Sequence, residues 1–109
     1  MSLSYVHGAS DIPLLGETIG KNLKNTVEKF PNQEALICVH QNYRATYQEF
    51  YNQTTQVAKA LIHLGVNSGD RVGIWSANRY EWVLLQYATA RIGVILVNIN
   101  PAYRTSELI

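Results

Sequence analysis

GDRVGIWSANRYEWVLLQYATARIGVILVNINP, residues 69–101, decides the fold. It predicts a β-strand over Arg71–Trp75, a helix opening near Asn78 and running to about Ile92, and a second strand over Val94–Ile99 that stops at Asn100-Pro101. A strand-helix-strand unit builds a parallel sheet, because parallel neighbours require a crossover. Parallel sheets are covered on both faces, and nothing in the 109 residues is long enough to cover both. The expectation is the opening piece of a larger α/β domain.

The crossover helix is apolar on more than one face, through Trp82, Val83, Leu84, Leu85, Tyr87, Ala88 and Ile92. Such a helix is buried from several sides. Asn78 and Glu81 have capping-box spacing at its start, and Gly93 is placed to end it in the left-handed region. Upstream, Thr46 and Glu49 repeat that spacing and open a helix with the apolar stripe Phe50, Val57, Ala58, Leu61 and Leu64, ended by Gly65. Before it, residues 35–40 and 43–47 read as a hairpin around Gln41-Asn42. Ile19, Leu23, Val27 and Phe30 mark an earlier helix over Thr18–Phe30 that Pro31-Asn32 stops. Residues 1–16, with Gly8, Pro13 and Gly16, read as an irregular leader. Thr105 or Ser106 starts a further helix.

Composition narrows the function classes. The chain is 47% hydrophobic and only 16% charged, which for a short chain implies that much of its surface expects a partner. Net charge is +1, so there is no electrostatic footprint for nucleic acid. No apolar run reaches the length of a membrane span, and no signal-peptide or Arg-rich transit pattern stands at the start. The expected compartment is the cytoplasm, the alternative being the mitochondrial matrix after loss of a transit peptide. Cys38, the single cysteine, lies in the apolar run Ala35–Val39 and reads as a small core residue rather than a nucleophile.

Few residues carry chemistry. Gly65, Gly69 and Gly73 precede or sit within a strand, whereas a phosphate loop follows a strand and opens a helix. The turn that does follow the strand, Ser76-Ala77-Asn78, has no glycine, and Ser76 and Asn78 read as helix caps. His7, His40 and His63 fit no metal set, and no pair of carboxylates has general acid/base logic. Trp75 and Trp82 read as core residues, with an acyl or adenine pocket wall as the minor alternative.

Several segments taken in order resemble the adenylate-forming (AMP-binding) acyl-CoA synthetases. They are Ala45-Thr-Tyr-Gln-Glu-Phe50, Ala58-Lys-Ala-Leu-Ile-His-Leu-Gly65, Ser68-Gly-Asp-Arg-Val-Gly-Ile74, Asn78-Arg-Tyr-Glu81, Ala90-Arg-Ile-Gly93 and Val97-Asn-Ile-Asn-Pro-Ala-Tyr103. The leader Ser4-Tyr-Val-His-Gly8 with Pro13-Leu-Leu is similar to the medium-chain group of that family. The resemblance implies an α/β fold: an N-terminal hairpin and packing helix followed by a parallel strand-helix-strand unit. Residues 1–109 would then be a partial N-terminal region of an AMP-binding domain, an incomplete piece of the large domain of adenylate-forming enzymes. It implies a fragment of a fatty-acid CoA ligase, inactive alone, whose parent uses ATP, Mg2+ and coenzyme A. The parent joins a carboxylic acid, in this group a medium-chain fatty acid, to AMP and then to the coenzyme. The partner of this segment is the remainder of the synthetase chain, and the segment alone binds no cofactor. The loop after the second parallel strand, Asn100, Pro101, Ala102, Tyr103 and Arg104, would border the mouth through which coenzyme A arrives, with Arg104 placed for a phosphate. Beyond the carboxyl ends of parallel strands is also where ligands bind in open α/β sheets. The plain alternative for the loop is a surface turn. Two alternatives stand for the whole chain: a self-standing α/β binding or interaction module, and a small flavodoxin-like nucleotide binder, against which the glycine-free turn argues.

Overall fold

In the computed structural model, the described residues are 4–6, 8 and 11–108. His7 and part of the leader over residues 1–16 lie outside them, and residues 11–18 carry no helix or strand.

Helix α1 covers Ile19–Lys29, and the Thr18 hydroxyl caps it by accepting from the Lys21 amide. Strands β1 (Glu34–Cys38) and β2 (Tyr43–Thr46) pair antiparallel, with a register shift between Glu34 and Leu36. The expected strand to residue 40 ends two residues earlier, because Val39–Gln41 forms a 3-10 turn closed by Asn42 at φ 51°. Asparagine tolerates that left-handed geometry better than other residues with a side chain.

Helix α2 runs over Tyr47–His63 and opens with the expected capping box. The Thr46 hydroxyl accepts from the Glu49 amide at 3.2 Å, and the Glu49 carboxylate accepts from the Thr46 amide at 3.0 Å. Its buried residues are Phe50, Thr54 and Ala58. Leu64, expected on the buried stripe, lies past the helix end and is exposed.

Strands β3 (Arg71–Trp75) and β4 (Ile95–Ile99) pair parallel in the register Arg71↔Ile95 to Trp75↔Ile99. Helix α3 (Tyr80–Arg91) makes the crossover. Gly93, at φ 72°, turns the chain out of it, and a Cβ there would also meet the Ser68 hydroxyl. Residues Thr105–Leu108 form a 3-10 turn where a helix was expected to start.

The core lies between the hairpin and the three helices: Leu23, Val27, Ala45, Phe50 and Leu84, ringed by tyrosines 43, 47, 51, 80 and 87. Tyr43 stacks on Tyr80 at 3.8 Å, and Phe50 meets Tyr87 edge-on at 5.5 Å. Among the described residues, one face of the β3–β4 pair is the better covered. Val72, Ile74 and Leu96 are buried or half-buried, whereas Arg71, Gly73, Trp75, Ile95 and Val97, alternating with them, are exposed; at the end of β4 the pattern breaks, with Asn98 exposed and Ile99 half-buried. An apolar, uncovered face on a parallel pair is half of the two-sided burial that such sheets normally have.

Candidate functional site

The loop beyond β4 is built by local hydrogen bonds. Pro101 presets the backbone for a turn. The Tyr103 amide donates to the Asn100 carbonyl at 2.9 Å, and the Ala102 amide donates to Asn100 Oδ1 at 2.9 Å. That second bond is the self-closing turn asparagine favours. The Arg104 amide and the Ser106 hydroxyl then donate to Glu107 Oε2 at 2.9 and 3.0 Å. These bonds, the Arg104 amide first, hold the Glu107 carboxyl below the usual carboxylate range. The Glu107 carboxylate is thus taken up by a backbone amide and a hydroxyl. Among the described residues no carboxylate pairs with the Arg104 guanidinium.

Trp75 and Ile99 end their strands side by side in register, so the loop leaves the sheet next to the indole. Trp75, Pro101, Ala102, Tyr103, Arg104 and Thr105 line one open cleft of about 530 Å3. Of the loop residues anticipated as a site, Pro101 to Arg104 face this cleft, and Asn100 supports the turn instead. Trp75, expected in the core, is 48% exposed. The alternation along β3 carried the signal: once Ile74 faces α3, Trp75 must face the other way. The chemistry offered is a cation, a phenol and an aromatic face around an open groove.

The start of α3 departs from expectation. Arg79 is its N-cap residue and makes no side-chain cap, and the Ser76 hydroxyl donates to the Ala77 carbonyl, so neither Ser76 nor Asn78 caps the helix. The cap comes from Gln41 in the hairpin turn. Its Oε1 accepts from the Tyr80 amide at 2.7 Å, while its Nε2 donates to both Glu81 oxygens at 3.0 and 3.1 Å. A side chain distant in sequence thus satisfies the first free amide of the helix. The Gln41 bond is the leading reason that the Glu81 carboxyl sits below its usual range. Cys38, expected in the core, is half-buried, and its thiol donates to the same Gln41 oxygen at 3.1 Å, with His40 Nδ1 3.5 Å away.

The end of α3 is clamped as well. Arg91 Nη1 donates to the Thr55 and Thr54 hydroxyls at 2.6 and 2.9 Å, and its guanidinium lies 4.1 Å from the centre of the Tyr51 ring. Among the described residues no group of three or more His, Cys, Asp or Glu side chains is placed to hold a metal, and no helix is long and apolar enough to cross a membrane.

The chain is similar to known proteins in sequence and in architecture. The profile of a family described as AMP-binding enzyme matches residues 23–109. The chain is 44% identical over 106 residues to the Rattus norvegicus protein named medium-chain acyl-CoA ligase ACSF2, mitochondrial, covering 97% of this chain and 17% of the rat protein. The Danio rerio protein of the same name is 45% identical over 108 residues, 99% of this chain and 18% of that one. The chain thus spans less than a fifth of the length of these curated relatives. Among solved structures, a Mycobacterium tuberculosis fatty acyl CoA synthetase superposes with a TM-score of 0.79 at 28% identity, over 84% of this chain and 18% of that one.

Proposed function

The chain belongs to the AMP-binding enzyme family, and from that membership we propose that it is the N-terminal portion of an acyl-CoA ligase acting on medium-chain fatty acids. The parent reaction joins the acid to AMP with release of pyrophosphate from ATP, then passes the acyl group to the coenzyme A thiol with release of AMP. This segment contributes scaffold. Its hairpin and helices hold α3, and α3 holds the parallel pair whose carboxyl end carries the loop 100–104. ATP and Mg2+ belong to groups elsewhere in the parent, since the turn after β3 has neither a glycine-rich stretch nor a lysine. The Arg104 guanidinium, which no described carboxylate pairs, fits the remaining partner, coenzyme A, whose phosphates a guanidinium recognises by charge-assisted hydrogen bonds. A mitochondrial location is the favoured compartment, because the relatives' names carry the word mitochondrial.

The observation that carries this reading is the β3–β4 pair, apolar on a face that nothing in the described chain covers. The compact core between the hairpin and the helices favours a second reading, a self-standing interaction module. ATP–pyrophosphate exchange separates the two. The 109-residue chain should form no acyl-AMP with octanoate, and the complete protein carrying it should. Exchange by the short chain, or none by the complete protein, defeats the proposal. Preference for acetate or aromatic acids would defeat the medium-chain assignment alone.

A further inference from the structure

We draw no further inference here: the strongest candidate, the side-chain cluster at the hairpin turn in which the half-buried Cys38 thiol donates to the Gln41 oxygen that caps α3, with His40 Nδ1 3.5 Å away, rests on a lone cysteine with no second observation that points to a ligand.

Discussion

Replacing Arg91 by methionine should loosen the junction of the helices, and the size of the effect follows from its partners. Arg91 Nη1 donates to Thr55 Oγ1 at 2.6 Å and Thr54 Oγ1 at 2.9 Å, and lies 3.3 Å from the Tyr51 carbonyl. Thr54 is fully buried, and both threonine hydroxyls donate onward to that carbonyl. The network is thus closed, with the guanidinium supplying the donors the two hydroxyl oxygens accept from. A hydrogen bond to a charged group contributes about 1.5–3 kcal/mol. The two short bonds share one nitrogen, so they count as one such interaction rather than two. The cation over the Tyr51 ring adds about 0.5–1 kcal/mol. Arg91→Met keeps the apolar stem and removes both terms, giving a loss of about 2–4 kcal/mol. Arg91→Lys keeps the charge but not the fork, and should fall between. Denaturant unfolding of the complete protein, followed by a probe in this region, reads the difference. A double-mutant cycle with Thr55→Val isolates the pair. Stability of Arg91→Met within about 0.5 kcal/mol of wild type, or strict additivity with Thr55→Val, would refute the clamp.

Gln41→Ala removes the cap on α3 and should cost about 1 kcal/mol, the usual loss for a helix cap. It should also move Glu81. That carboxyl now titrates below its ordinary 4.5, chiefly through the Gln41 amide. Its stabilising contribution is therefore present above the unfolded value and lost as pH falls through the depressed folded one. In Gln41→Ala the Glu81 midpoint, followed by carboxyl NMR, should rise, and an unmoved midpoint would contradict the cross-fold cap. On the proposed function, Arg104→Ala in the complete protein should raise KM for coenzyme A roughly tenfold or more, as expected for losing a bond to a charged group. ATP–pyrophosphate exchange should stay near wild type, and an unchanged KM would return the loop to a surface turn.

Local signals in the sequence were followed closely by the fold. Thr46 and Glu49 form their capping box, Gly65 and Gly93 turn left-handed at the helix ends, and both strands of the parallel pair lie within a residue of where the pattern places them. What escaped reading was non-local. Nothing near Asn78 reveals that a glutamine in the hairpin turn supplies the cap for α3. Ala90-Arg91-Ile92-Gly93 could be matched to a family pattern without a reason for the arginine, because its partners sit on α2. Thr54 reads as polar yet is fully buried, since its hydroxyl is satisfied within the helix and by Arg91. Cys38 and Trp75 look like core by residue type, and strand alternation against a single covered face puts Trp75 outside.

The central claim is that these residues form a scaffold completed by more chain, and the behaviour of the 109 residues expressed alone tests it most directly. Trp75, Ile95 and Val97 are exposed on the open face of the β3–β4 pair, in a two-stranded sheet whose outer edges offer unpaired backbone groups to other chains. Full burial of one large apolar side chain stabilises by roughly 1.5–3 kcal/mol, and a whole domain is stable by only about 5–15 kcal/mol. Lacking cover on this face, the chain should be aggregated or molten, with helical far-UV circular dichroism and no cooperative melt. A soluble monomer with a sharp two-state transition and dispersed amide NMR signals would contradict the claim and make the self-standing module the better account.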